Sequence, residues 1–96
     1  MPFIQQTPRI FTKRNIEAVD PNQVGVYGIF RNDLWIYIGK GDIKERLLAH
    51  LGGDNPCILK SNPTHWVGEI RSDPEMSIRE KQLIVEFRPS CNQKIG

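Results

Sequence analysis

Two tyrosines ten residues apart sit beside glycines in "GVY" (25–27) and "YIG" (37–39), and Lys40, Arg46 and His50 follow within one turn-and-helix stretch. A single carboxylate, Glu80, interrupts a later apolar run. Such side chains could move protons, meet an anion and hold a cation. Each also has a structural reading, so the elements that must position them decide how far the chemistry can be taken.

Residues 24–30 and 34–38 are rich in Val, Ile, Phe, Tyr and Trp and are separated by "RND", which predicts a hairpin. "DIKERLLAHL" begins on a candidate N-cap, Asp42, and stops at Gly52-Gly53, as a helix does. Residues 54–63 read as a connector bounded by Pro56 and Pro63, "THWVGEIRS" as a third strand, and "SDPEMSIREKQLIVEF" as the longest helix, ended by Pro89. Residues 1–23 read as an N-terminal extension of uncertain structure, with a helical turn or two in "TKRNIEAV"; the domain proper spans 24–96. The order strand-strand-helix-strand-helix predicts a layered α/β (α+β) domain.

A three-residue "RND" loop would pair Phe30 with Leu34, Ile29 with Trp35, Tyr27 with Tyr37 and Gly25 with Gly39. The tyrosines would then form a cross-strand pair beside glycines that leave room for something to approach. Val26, Phe30, Leu34, Ile36 and Ile38 would form the opposite, core face. An aromatic pair that only stabilises the sheet accounts for the same residues.

On the first helix Ile43, Leu47 and Leu51 define the buried stripe, and Arg46 and His50, four apart, flank it together. On the last helix Met76, Leu83, Ile84 and Phe87 share one face and Glu80 falls near its middle. A buried carboxylate must be paired, protonated or bound to a cation, and Arg46 is the candidate partner for an ion pair. Glu69 and Asp73 read as solvated.

Ninety-six residues with 39% hydrophobic and 25% charged residues suit one soluble domain. A chain of this size buries roughly 60–70% of its unfolded surface, enough for one modest core. A net charge of +2 permits an anionic partner without requiring one. No apolar run is long enough to span a bilayer, no signal-peptide pattern opens the chain, and Cys57 and Cys91 read as reduced thiols. A cytoplasmic protein is expected. Cys57, Cys91, His50 and His65 lack zinc-ligand spacing, and neither a P-loop nor a Gly-x-Gly-x-x-Gly motif occurs.

In order along the chain, "GVY", "YIG", the Gly39-Lys40 turn, Arg46 with His50, and "EKQLIVEFRPSCN" resemble the motifs of the GIY-YIG nucleases. The match runs from residue 24 to residue 92, departing at Val26, where the family has isoleucine, and in a compact turn before Arg46. It implies a three-stranded antiparallel sheet flanked by helices and a divalent-metal-dependent endonuclease that hydrolyses DNA phosphodiesters with Mg²⁺ or Mn²⁺. By the resemblance Glu80 is the metal ligand, Arg46 meets the phosphate, and Tyr27 is the base or water-positioning group. Tyr37 bonds phosphate or water, Gly39 shapes the substrate side, and Asn92 orients local structure. An ordinary tyrosine is only about one part in a thousand phenolate at pH 7. Lys40, His50 or the metal must therefore lower the Tyr27 pKa or take its proton. DNA is the implied partner, with a homodimer or recruitment by a larger DNA-binding protein as the route to cutting both strands. The alternative is a catalytically silent DNA-binding or scaffolding domain.

Overall fold

The computed structural model describes residues 3–92; residues 1, 2 and 93–96, which the expected spans 1–23 and 24–96 include, lie outside the described residues. In chain order the elements are β1 (Arg9–Ile10), α1 (Lys13–Glu17), β2 (Val24–Arg31), β3 (Leu34–Asp42), α2 (Ile43–Leu51), α3 (Pro56–Lys60), β4 (His65–Ile70) and α4 (Glu75–Phe87), followed by a short 3₁₀ turn, Ser90–Asn92. One antiparallel sheet runs in the order β1-β4-β2-β3, so the expected three strands gain a short fourth. Each expected helix forms. Asp42 caps α2 through the Glu45 N–H, and Thr12 caps α1 through the Asn15 N–H. The expected connector 54–63 contains α3, whose signals were the N-cap Asn55 and Pro56 in the first turn.

The hairpin register differs from the expected one. Arg31 pairs with Leu34 across a two-residue turn, with Asn32 at φ +54°, a conformation that asparagine tolerates. The register then shifts between Ile29 and Phe30, so that Ile29 faces Tyr37 and Tyr27 faces Gly39. The extra residue is Ile36, a bulge that places Ile36 and Tyr37 toward the same side. Three face assignments change with it. Ile36 joins the tyrosine side, Trp35 packs on the opposite face, and Leu34 is exposed instead of core.

Both faces of the sheet are covered. One buries Tyr27, Ile29, Ile36 and Trp66 against Phe11, Ile16, Ile43, Leu47 and Ile58 from α1, α2, α3 and the leading segment. The other packs Val26 and Ile38 on Leu83 of α4, rimmed by Phe3, Trp35, Met76, Ile84 and Phe87. Residues 3–23 thus contribute to the same core. Side-chain amides complete the outer strand β3 and the part of β4 that the two-residue β1 leaves uncovered. Asn92 accepts from the Ile38 N–H at 2.7 Å and donates to its carbonyl at 2.8 Å, and Gln6 does the same for Gly68 at 3.1 and 2.9 Å. Cys57 and Cys91 form a disulfide with a Cα–Cα separation of 5.6 Å, so the expectation of reduced thiols is corrected. Packing of α3 beside the closing 3₁₀ turn brings them within bridging distance.

Glu69, expected in solvent, is instead buried on β4. Its oxygens accept from Arg79 at 2.9 and 3.0 Å, from Arg71 at 3.2 Å and from the Ile4 N–H at 2.7 Å. Burial alone would raise its pKa, but the Arg79 fork, the Ile4 amide and Arg71 together outweigh this and lower it. The cluster ties the N-terminal segment to α4. A carboxyl held low contributes stability above its ordinary pKa that is lost as pH falls through the native value. Glu69→Gln should therefore destabilise the fold by about 2–3 kcal/mol at neutral pH, short of the ~3–5 kcal/mol for a fully buried pair because Arg71 is part-exposed. Urea melts at neutral and acid pH check this: the gap between wild type and variant should close in acid, and an equal gap at both would refute the assignment.

Candidate active site

The bulged β3 edge is where the expected site residues meet. Tyr27 leaves β2 directly across from Gly39 and is almost fully buried. Its hydroxyl lies over the Gly39 Cα so closely that a β-carbon there would collide with it. The room beside the glycine, expected to admit a ligand, is filled by the phenol. Tyr37 lies diagonal to Tyr27, with ring centroids 6.3 Å apart, and the His50 ring packs edge-on against Tyr37 at 5.0 Å.

His50 is 1% exposed, and both of its ring nitrogens are engaged. Nε2 lies 2.7 Å from the Tyr27 hydroxyl and Nδ1 2.8 Å from Asp54 Oδ1. A carboxylate only accepts, so Nδ1 carries the ring proton and Nε2 accepts from Tyr27. Burial lowers the His50 pKa, and Arg46 adds to this against the opposing pull of Asp54, so the ring is neutral at pH 7. Tyr27 moves the other way: burial first, then Tyr37, raise its pKa well above the ordinary value, and the nearby Arg46 guanidinium only partly offsets them. Of the two expected routes, the protein's own groups do not supply a lowered Tyr27 pKa, while the bare His50 Nε2 lies within reach of its proton.

Arg46 projects from α2 into the same cluster, about 40% exposed, and donates to Asp54 Oδ2 at 3.2 Å. Its ion-pair partner is thus Asp54 and not the expected Glu80. Asp54 was missed because the helix ends before it, yet the glycine stop carried a signal. Gly53, at φ +93°, and the bonds Gly53 N–H to His50 O (3.1 Å) and Asp54 N–H to Ala49 O (3.2 Å) form a Schellman turn. This turn folds the chain back over the last helical turn, so Arg46, His50 and Asp54, spaced four apart, come together.

The remaining residues approach from the other face. Lys40 turns toward α4 and donates to Ser77 Oγ at 2.6 Å, which separates it from Tyr27. Half-buried Glu80 has neither a hydrogen bond nor an ion pair among the described residues. Burial raises its pKa, while Lys40 and Lys81 favour the charged form. Tyr37 registers both halves of the site: burial raises its pKa first, Glu80 adds to this, and Arg46 opposes it. Asn92 is brought to the β3 edge beside Tyr37 through Ile38, one residue outside the cluster. No group of three or more His, Cys, Asp or Glu among the described residues could enclose a metal. A lone, unpartnered carboxylate instead suits a hard cation that keeps its water and shares substrate oxygens.

No protein-family model matches the chain, and no curated protein matches it in sequence. Solved structures do match in fold. The GIY-YIG N-terminal endonuclease domain of UvrC from Thermotoga maritima, bound to magnesium as its catalytic divalent cation, aligns with a TM-score of 0.73 at 25% identity, covering 84% of this chain and 96% of that one. A point variant of that domain bound to its catalytic cation aligns at 0.73 and 24% identity over 85% and 96% of the two chains. Another aligns at 0.66 and 23% identity over 85% and 96%. Aligned over most of both chains, this protein has the GIY-YIG endonuclease-domain fold.

Proposed function

We propose that the protein is a divalent-metal-dependent endonuclease that hydrolyses DNA phosphodiester bonds. The observation that carries this reading is the Tyr27–His50 hydrogen bond of 2.7 Å, set beside Arg46 and Tyr37 and facing the unpartnered Glu80 across the β3 edge. Glu80 would hold Mg²⁺ or Mn²⁺, which when bound neutralises phosphate charge and stabilises the leaving oxygen. Arg46 offers forked donors to the charge that grows on the phosphate oxygens. Tyr37, less buried than Tyr27, supplies a hydroxyl to phosphate or water. Asn92 holds the β3 backbone in place behind them. Lys40, on the α4 side, adds positive charge for the DNA backbone.

Tyr27 acts as a relay and not as a free phenolate. Its oxygen takes a proton from the attacking water as its own proton passes to His50 Nε2, leaving water-derived hydroxide to attack phosphorus and His50 as the imidazolium. Such a relay needs no lowered tyrosine pKa, only a neutral histidine. A unit this small makes few phosphate contacts, so binding by the isolated chain is weak and salt-dependent. A homodimer, or recruitment by a larger DNA-binding protein, would let it cut both strands.

Glu80→Gln should abolish metal-dependent nicking of plasmid and branched DNA while leaving the fold intact. A carboxyl whose native pKa is raised contributes stability at low pH that is lost as pH rises through that value. The metal-free variant should therefore melt no lower than wild type at neutral pH. Mg²⁺ at ten times its dissociation constant should stabilise wild type by about 1.4 kcal/mol and the variant not at all. Equal Mg²⁺ stabilisation of both proteins would remove Glu80 from the metal site.

The tyrosines should differ. Tyr27→Phe should lower the single-turnover rate at least ~10²-fold, and Tyr37→Phe less, in keeping with one hydrogen bond of about 1–3 kcal/mol. Because His50 must be neutral, the wild-type rate should fall in acid, below the ordinary histidine pKa, and be level above it. A rate that climbs steadily to about pH 10 would indicate a phenolate base instead of the relay.

A further inference from the structure

Asp54 belongs to no motif of the chain, yet its two carboxylate oxygens divide between two side chains of α2, Arg46 and His50. Oδ1 lies 2.8 Å from His50 Nδ1, and Oδ2 lies 3.2 Å from Arg46 Nη2. Its charge, placed by the local turn that ends α2, works against the helix it follows. The residue after the glycine of a Schellman turn commonly makes an apolar contact with the preceding turn, and the negative end of the helix dipole disfavours a carboxylate there. A negative charge beside Arg46 also opposes an approaching phosphate. The side chain is therefore not explained by helix termination or by anion attraction.

The buried histidine explains it. With His50 sealed in the core, its Nδ1–H has to find an acceptor inside the protein, and Asp54 is the one it finds. That bond fixes which nitrogen is protonated and directs the bare Nε2 at the Tyr27 hydroxyl, 2.7 Å away. We propose that Asp54 is the positioning residue of the site, holding His50 in its Nδ1–H tautomer and Arg46 in place so that Nε2 can accept the Tyr27 proton. The inference rests on the nuclease reading for its rate effect but not for its geometry. After transfer the proton resides on Nε2, and the imidazolium, with Nδ1–H still donated to Asp54, is stabilised by that carboxylate. The groups facing His50 are Tyr27 from β2, Tyr37 from β3, Arg46 on α2 itself and Asp54 beyond it.

Asp54→Asn keeps the shape and removes the charge. An asparagine can turn its NH₂ toward Nδ1 and draw the proton to Nε2, where it can no longer accept from Tyr27. Two measurements test the proposal. The first is ¹⁵N NMR of the histidine ring nitrogens in the metal-free, DNA-free protein, with His65→Gln used to assign the signals. Wild-type His50 should be the Nδ1–H tautomer, and Asp54→Asn should populate the Nε2–H form; an Nε2–H wild type, or no change in the variant, overturns the proposal even if the chain cleaves nothing. The second is single-turnover cleavage with Mg²⁺ against pH. Asp54→Asn should lose at least ~10²-fold in rate with DNA affinity unchanged or tighter. Its acid limb should also move to lower pH, because the carboxylate that raises the His50 pKa is gone. A rate within twofold of wild type with the same pH profile would make Asp54 merely structural. Absence of cleavage by wild type as well, with the tautomer as expected, would count against the nuclease reading and leave the positioning geometry standing.

Discussion

The close approach of Tyr27 to Gly39 is the constraint on which the rest of the site depends. Because residue 39 has no side chain, a whole phenol can lie flat across β3 with its hydroxyl carried through to α2. Any β-carbon there would displace the ring and break its bond to His50. The glycine is needed for volume and not for backbone freedom. Tyr27 then becomes part of the core, and its neighbour Ile29, with Ile36 and Leu47, encloses it. Dense packing of this kind holds a hydrogen bond at a fixed length without any contribution from solvent.

The same packing sets the electrostatics. Withdrawal from water raises the Tyr27 and Tyr37 pKa values and lowers that of His50, so these three are neutral at pH 7 and the charges of the cluster lie on Asp54 and Arg46. Charge lies at the rim, where water screens it, and proton-carrying groups lie inside. Glu80 stands apart on the other helix, desolvated enough for its pKa to rise but without a hydrogen bond or ion pair among the described residues. The proposed cation role of Glu80 rests on that combination of partial burial and missing partner.

Two ties hold these halves in register. The disulfide joins α3, which begins just after Asp54, to the turn that carries Asn92. Asn92 in turn takes the place of a neighbouring strand at Ile38, next to Tyr37. The 3₁₀ turn therefore closes the edge of the sheet beside the candidate site, with an amide in place of a strand. Beyond the short β1, Gln6 performs the same service for Gly68 of β4, and Glu69 secures the leading segment to α4 through Arg79.

Much of this was legible in the residues. The alternation of "VGVYGIF" and "LWIYIG", the Asp42 cap, the glycine stop and the proline boundaries determined the hairpin, α2 and α4 by local physics alone. The tyrosines, Arg46, His50 and Glu80 could be singled out from their spacing and, for Glu80, its place on an apolar stripe, and the roles expected of them came from the family pattern. The register could not be read, because one bulged residue at Ile36 turns Trp35 and Ile36 to new faces, and a bulge is chosen by what packs on both sides of the sheet. Nor could the partners of the charged groups. Glu69 with Arg79 and Cys57 with Cys91 are pairings between elements, decided only when the layers close, and Arg46 with Asp54 depends on how the turn after α2 folds back. Sequence determined which groups this protein possesses; tertiary structure decided which of them lie within 3 Å of one another, because desolvation and hydrogen-bond geometry act only after the chain has folded.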